Sequence, residues 1–275
     1  MKLGLTIILS FLVLTTFSQL DDRYKNELKG PVKECSEMAF TIKIENNKLV
    51  TGDYISHWSR GKRIFDGKGR VIEFQTQPDT TSGEFERTSL TYDESGCLKE
   101  KKFFRTNGEL DRHFIYKCDK GRIVQEIDYN FNFGKKPIRT YTFKYSDNNL
   151  TEIDNKGHGD ASSSKEFFEY DKNGFLIRKK DFGVYEYEND SSGRPITEFI
   201  ILKDNSRRKT TEYKYNEQGL ISEQTLYFRG QKAGTSYYDY TFDDKGNWIS
   251  KTEFISESEG EKQPESITIR KISYY

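Results

Sequence analysis

Aromatic and polar residues alternate along several stretches of the chain, and this alternation predicts β-strands. Tyr141, Phe143 and Tyr145 are separated by polar residues, and the same two-residue period recurs at 238–242. Successive side chains of a strand point to opposite faces, so each stretch would present one apolar and one polar face, as in an antiparallel sheet. From Asp21 onward, no stretch has the pattern of an amphipathic helix.

A turn-like stretch recurs about every 25 residues. One copy is Asp171-Lys172-Asn173-Gly174. The polar side chain of its first residue can hydrogen-bond to the backbone two residues later, and the glycine tolerates a left-handed conformation. This order predicts a type I turn followed by a glycine bulge. Eight copies align on shared structural turn residues, with asparagine replacing glycine once: Gly69, Gly96, Gly121, Asn149, Gly174, Gly193, Gly219 and Gly246.

The repeat predicts an all-β fold, an antiparallel hairpin-repeat meander of about eight repeats. Each period holds two strands, and the resulting roughly 16 strands are too many for a flat open sheet. We therefore expect a curled sheet or a partly closed shell. The expected organisation is a strand-rich lead-in at 19–60, the hairpin repeats at 61–255, and a C-terminal loop and capping strand at 256–275.

The N-terminus predicts export. Residues 1–18 combine a short basic start, an apolar run and small residues before the expected cleavage site, which is the pattern of a secretory signal peptide. No integral membrane segment is expected in the mature chain. The predicted location is bacterial and exported: periplasmic, cell-surface or secreted.

Charge excludes some partners. The 275 residues include 44 Lys and Arg against 44 Asp and Glu, so no net field would attract nucleic acid or an anionic membrane. Three cysteines make a disulfide possible in an exported protein. Cys97 and Cys118 are the preferred pair because both lie near the turns of successive repeats, although three ordinary cysteines are an equal alternative.

The turn motif resembles the tyrosine–aspartate (YD) repeat of the RHS family. The matching residues are Tyr92-Asp93, Tyr170-Asp171 and the glycine–arginine pairs Gly69-Arg70, Gly121-Arg122 and Gly193-Arg194. The resemblance covers about residues 60–255 and is closest to the small exported bacterial members. It implies contact at the cell surface or outside the cell, with carbohydrate or with another surface protein.

No motif for catalysis, a cofactor or a metal is found in the sequence. His57, His113 and His158 have no ligand-like partner at short spacing. Carboxylates gather locally, at Glu84, Glu86, Asp93 and Glu94 in one hairpin and at Glu166, Glu169 and Asp171 in another, but no converging pair is indicated. The Asp171 turn lacks the later ligands of a calcium loop. We predict no catalytic, cofactor-binding or metal-binding residues.

Three functions follow as hypotheses. The first is an exported, non-catalytic repeat protein that acts as a cell-surface or extracellular binding or scaffold module, with an unknown partner. The second is an outer-membrane β-barrel, for which the terminal strand ending in Tyr275 is suitable but the many charged strand residues are not. The third is an enzyme or an inhibitor built on the repeat scaffold.

Overall fold

A computed structural model describes residues 28–55, 61–76, 86–159, 161–257 and 260–275. The predicted signal peptide, residues 1–18, lies outside the described residues. Within the described ranges, no helix has the length and apolarity that a bilayer-spanning helix requires.

Nearly all regular structure in these ranges is β-strand. Nineteen strands are formed, together with one short 3-10 helix at Phe131–Phe133. The strands are β1 Val32–Glu45, β2 Lys48–Ile55, β3 Gly61–Phe65, β4 Val71–Thr76, β5 Arg87–Tyr92, β6 Leu98–Phe104, β7 Leu110–Asp119, β8 Arg122–Asn130, β9 Pro137–Ser146, β10 Asn149–Gly157, β11 Ser164–Tyr170, β12 Leu176–Lys180, β13 Val184–Asn189, β14 Pro195–Ile201, β15 Arg207–Tyr215, β16 Ile221–Phe228, β17 Gln231–Phe242, β18 Trp248–Glu257 and β19 Gln263–Tyr274.

The sheet closes on itself through its first strand. Consecutive strands from β3 to β19 pair antiparallel, and β19 pairs with β1 from Val32↔Tyr274 to Thr41↔Ser266. The opposite edge of β1 pairs with β3 through its N-terminal half and with β2 through its C-terminal half. The result is a closed barrel of 18 strands, and β2 extends it beside β1.

The predicted all-β antiparallel meander is confirmed, whereas the predicted curled sheet or partly closed shell is wrong. The physical reason lies in β1, which is 14 residues long. A strand of this length can satisfy the exposed edge of β19 on one side and the edge of β3 on the other, so no unpaired edge remains between them. The sequence repeat does not include β1 and therefore could not reveal the closure.

In most strands the buried residues lie on one face, which is the inside of the barrel; Thr197 and Thr235 are buried on the outer face. In β8, Ile123, Glu126 and Asp128 are buried, while Ile127 and Tyr129 are partly exposed. A single-layer closed sheet has nothing covering its outside, so the buried face is the inner one. The inner face carries an apolar core contributed by β1 and β3 to β11, including Val32, Phe65, Val71, Leu90, Leu98, Phe114, Ile123, Phe143, Leu150 and Phe168.

Six of the eight repeat turns share one geometry. At Gly174, φ is +83°, its N–H donates to the Asp171 carbonyl at 3.0 Å, and the Asp171 N–H donates to the Phe175 carbonyl at 2.9 Å. The Asp171 carboxylate accepts from the N–H groups of Asn173 and Phe175. The same closure is found at Gly69, Gly96, Gly193, Gly219 and Gly246.

Two copies differ from the expected turn. Gly121 is left-handed together with Lys120, so this turn has two residues rather than three. Asn149 is not a left-handed turn residue, which corrects the prediction. It begins β10 opposite Ser146, and Asp147 adopts the positive φ of +53° instead. Aspartate tolerates that conformation better than most residues, so the turn can tighten around it.

A tyrosine ladder joins neighbouring repeats. In five places a tyrosine hydroxyl donates to a backbone carbonyl 19 to 22 residues earlier, at 2.7 to 2.9 Å. The donor and acceptor pairs are Tyr92 and Val71, Tyr145 and Ile123, Tyr170 and Leu150, Tyr215 and Pro195, and Tyr240 and Ile221. The conspicuous tyrosines of the repeat therefore both pack and hydrogen-bond.

Candidate ligand-binding grooves

One groove on the outer surface crosses β14 to β17. We call it the tyrosine groove and define it by six outward residues: Thr197, Glu212, Thr225, Tyr227, Thr235 and Tyr237. Its volume is about 480 Å³, which is within the usual range for a small-molecule site. Strand register brings the residues together, because Thr197, Glu212, Thr225 and Thr235 lie opposite one another on successive strands.

Threonines form the floor of the tyrosine groove. The hydroxyls of Thr225 and Thr235 are hydrogen-bonded to each other at 3.0 Å, and Thr197 and Thr235 are buried. Branched side chains of this size suit a pleated sheet and do not fill the space between longer neighbours. A shallow depression with hydroxyl groups at its base is the result.

Two tyrosines form the walls. The Lys262 ammonium lies 3.6 Å from the ring centroid of Tyr237, and the Lys209 ammonium lies 5.1 Å from that of Tyr227. Such cation–π contacts hold an aromatic ring in place. The Tyr227 hydroxyl donates to Glu212, and this hydrogen bond raises the pKa of Tyr227 to about 12.

Each of the two carboxylates in the tyrosine groove is paired with a lysine. Lys209 hydrogen-bonds Glu212 and thereby lowers the pKa of that carboxyl. Lys214 lies 2.7 Å from Glu223, and this contact raises the pKa of the lysine. The groove therefore offers hydroxyls, paired carboxylate oxygens and flat rings, and the Lys232 side chain also lines it. Polyhydroxy ligands match this chemistry, since their hydroxyls can donate to carboxylates and their C–H faces can lie on tyrosine rings.

A second groove lies on β8 to β10 and the residues that follow β10. We call it the histidine groove; it has a volume of about 380 Å³ and is lined by Gln125, Thr140, Thr142, Asp154, Lys156, His158 and Ser163. In the sequence, His158 stands between Gly157 and Gly159 and has no ligand-like partner at short spacing. Its Nε2 lies 2.9 Å from the Thr140 hydroxyl, so the structure places this loop histidine against the outer face.

Charged residues also line the inner face, and most of them belong to no motif of the sequence. Asp128 is fully buried and accepts two hydrogen bonds from Arg112, at 3.1 and 2.6 Å. Lys179 is buried within 3.2 Å of Glu166 and 2.5 Å of Asp181. Ion pairs of this kind offset the cost of removing charge from water.

Glu126 is the most perturbed carboxyl of the inner face. Burial raises its pKa to about 7, while a hydrogen bond from Tyr116 and the charge of Lys101 act in the opposite direction. Its alternation with Ile127 and Tyr129 was the only sequence signal available. That pattern is ambiguous, because alternation alone does not indicate which face of the strand is buried inside the barrel.

The carboxylates predicted to be local to hairpins do not converge into a catalytic pair. Glu166 points inward to Lys179, whereas Glu169 is on the outer face 4.0 Å from Arg178. Asp93 and Asp171 accept backbone N–H groups in their own turns. Glu84 lies outside the described residues.

Of the remaining candidates, His57 also lies outside the described residues. His113 is on the outer face 3.9 Å from Glu100, and burial lowers the pKa of its imidazole. In the ranges that the structure describes, no three His, Cys, Asp or Glu side chains are arranged to hold a metal ion. Cys97 and Cys118 form a disulfide, and Cys35 is buried in the core apart from it.

Comparison with protein-family models and with curated proteins finds no match. Among solved structures, the chain is similar to a porin-like protein from Bacteroides uniformis, with 15% identity, a TM-score of 0.46, and coverage of 90% of this chain and 98% of that one. A porin-like protein from Bacteroides vulgatus matches with 11% identity, a TM-score of 0.37, and coverage of 89% and 99%. The Photorhabdus luminescens Tc holotoxin pore matches with 11% identity, a TM-score of 0.28, and coverage of 70% and 15%.

Proposed function

We propose that this protein is an exported, non-catalytic β-barrel that binds neutral carbohydrate in the tyrosine groove. The observation that carries the proposal is the arrangement of Tyr227 and Tyr237 around hydrogen-bonding threonines, with the nearby carboxylates compensated by lysines. Carboxylates that are already paired with lysines leave little free negative charge to attract a cationic ligand. Flat rings beside hydroxyls favour a sugar over a purely apolar molecule.

The outer surface supports a barrel that faces water. Lys144 and Lys165 both lie 3.0 Å from Glu152, and Lys165 also lies 3.1 Å from Asp154. These outward ion pairs join β9, β10 and β11, with Glu152 near the middle of β10 and with Lys144 and Lys165 nearer the ends of their strands. A cationic side chain facing lipid costs roughly 2 to 4 kcal/mol at the bilayer midplane and about 0 to 1 kcal/mol near the interfaces. Four outward charges close together, on Lys144, Glu152, Asp154 and Lys165, therefore favour an aqueous environment.

A second candidate is the outer-membrane β-barrel. The closed antiparallel sheet favours it, and in shape the chain is closer to this alternative than to a curled scaffold. Outward apolar residues also occur next to one another where β1 meets β19, at Met38, Phe40, Ile267 and Ile269. The ion pairs on β9 to β11 are the observation against a complete apolar band around the barrel.

Cell fractionation tests the location. We expect the protein in the periplasm, the medium or a salt-washable surface fraction without detergent. Sedimentation with outer membranes and release only by detergent would replace the water-facing proposal with the membrane barrel. A known outer-membrane protein and a known periplasmic protein in the same preparation serve as controls.

Glycan-array screening, followed by calorimetric titration, tests the ligand. We expect neutral oligosaccharides among the ligands, and we expect Tyr237→Ala to weaken their binding. If no neutral glycan binds the folded protein, the carbohydrate proposal fails.

The YD-repeat relationship stays a proposal, which the repeated Tyr-Asp and Gly-Arg residues support. The hypothesis of an enzyme or an inhibitor has less support, because no catalytic groups converge among the described residues.

A further inference from the structure

We propose that the histidine groove is a second ligand site, for a saccharide that carries one carboxylate. It uses residues of β8 to β10 and the segment after β10, none of which belongs to the tyrosine groove. The inference is therefore independent of the function proposed above. Its basis is the charge and the hydrogen-bonding groups of its own lining.

Strand register assembles the lining of the histidine groove. Thr142 lies opposite Gln125 on one side and Asp154 on the other, and Thr140 lies opposite Lys156. One amide and two hydroxyls thus stand beside a carboxylate and an ammonium on the outer surface. These groups can donate and accept hydrogen bonds toward a ring with several hydroxyls.

The end of the groove is held in place by backbone contacts. The His158 N–H donates to the Ile138 carbonyl at 2.9 Å, and the Gly157 N–H donates to the Ser163 hydroxyl at 3.0 Å. The His158 ring meets Thr140 at 2.9 Å. Because these contacts fix the wall before any ligand arrives, little ordering cost is left for binding.

One cation in the groove is uncompensated. Asp154 is within 3.1 Å of Lys165, which also pairs with Glu152. Lys156, in contrast, has no carboxylate of the described residues within 4.0 Å. The local excess of positive charge selects a ligand with one negative charge, and the surrounding hydroxyls and amide select hydroxyl groups next to it. A uronate has both features on one ring, and the groove volume of about 380 Å³ is within the range of small-molecule sites.

Ligand-observed saturation-transfer NMR and calorimetry with four probes test this proposal. The probes are glucuronate, glucose, acetate and inorganic phosphate. We expect glucuronate to bind more tightly than each of the other three. Equal binding of acetate or phosphate would reduce the groove to a simple anion site and overturn the proposal, and equal binding of glucose would overturn the role of the carboxylate.

Variants locate the site. Lys156→Met should weaken glucuronate binding by about tenfold, and Lys156→Arg should retain most of it. Lys172→Met, an exposed turn lysine of the next hairpin, is the matched control and should bind as the parent protein does. Tyr237→Ala should leave glucuronate binding unchanged. If Tyr237→Ala abolishes that binding while Lys156→Met does not, the ligand occupies the tyrosine groove and the second site does not exist.

Discussion

The Tyr170 hydroxyl donates a hydrogen bond of 2.8 Å to the backbone carbonyl of Leu150, one repeat earlier in the chain. Leu150 is buried, so its carbonyl depends on this donor or on the strand ladder for a partner. The contact ties the turn of one hairpin to the start of the strand before it. Four other tyrosines make the same connection, which gives the tyrosine of the repeat a defined structural role.

Removing this hydroxyl should destabilise the barrel without changing its shape. We expect Tyr170→Phe to lower the free energy of unfolding by about 1 kcal/mol, because the ring still packs while a buried carbonyl loses its donor. Urea unfolding followed by circular dichroism measures the change. Tyr129→Phe is the control, since Tyr129 lies on the outer face and has no described hydroxyl bond. Equal losses in the two variants would contradict the ladder interpretation.

The disulfide between Cys97 and Cys118 should contribute measurably to stability. The two cysteines are 21 residues apart in the sequence, and closing a loop of that length stabilises a fold by about 2 to 4 kcal/mol. We expect the double variant Cys97→Ser, Cys118→Ser to melt at a lower temperature than the parent. A reducing agent should lower the melting temperature of the parent and leave that of the double variant unchanged. Sensitivity of the double variant to reductant would place the redox effect elsewhere.

Glu126 should make stability depend on pH near neutrality. Its folded-state pKa of about 7 is above the ordinary value of 4.5, so the folded protein retains a proton that the unfolded chain releases. The contribution of this group to stability is present below pH 4.5 and is lost as pH rises to about 7. The loss is at most about 3 kcal/mol.

Glu126→Gln removes this titration. Relative to the parent, the variant should become progressively more stable as pH rises from 4.5 to 8. Urea unfolding at several pH values measures the difference. Glu169→Gln, at an exposed carboxyl on the outer face, is the control and should follow the parent at every pH. A constant difference between Glu126→Gln and the parent would show that Glu126 does not titrate in this window.

The tyrosine groove should depend on an aromatic ring more than on a phenol. Tyr237→Phe should bind neutral oligosaccharide with an affinity within about threefold of the parent's. Tyr237→Ala should bind up to about tenfold more weakly, which is the loss expected when one aromatic contact is removed. Calorimetric titration with the best glycan from the array gives both numbers. Tyr129→Ala, on the outer face of β8 away from the groove, controls for general effects of losing an outward tyrosine. Unchanged affinity in Tyr237→Ala would move the binding site elsewhere.

Local features of the fold were predictable because they depend on neighbouring residues. Asp171 and Gly174 specify their turn through one carboxylate and one left-handed glycine, and both lie within four residues of each other. The strand flanks follow from period-two alternation. Asn149 was misread because Asp147 could supply the left-handed residue instead, and two acceptable turn residues in one loop cannot be ranked by pattern alone.

The candidate grooves were not predictable in the same way. Thr225 and Thr235 meet because β16 and β17 pair in one register. Lys209 contacts Glu212 on its own strand, β15, and Tyr227 on the neighbouring strand, β16. Sequence spacing does not indicate which of several similar hairpins will place small residues beside large ones. His158 was noticed as a loop histidine, but only its contact with Thr140 makes it part of a groove.

The sequence by itself determined the repeat, the strand alternation and the turn chemistry, because each is a local property of a few adjacent residues. Tertiary structure alone decided that the sheet closes, since Cys35 and Ile272 pair across 237 residues of chain and nothing in the repeat specifies that pairing. Closure in turn decides which face is inside. It buries Glu126 and Asp128 while leaving Lys144 and Glu152 on the outer face, a choice that alternation permits but does not make.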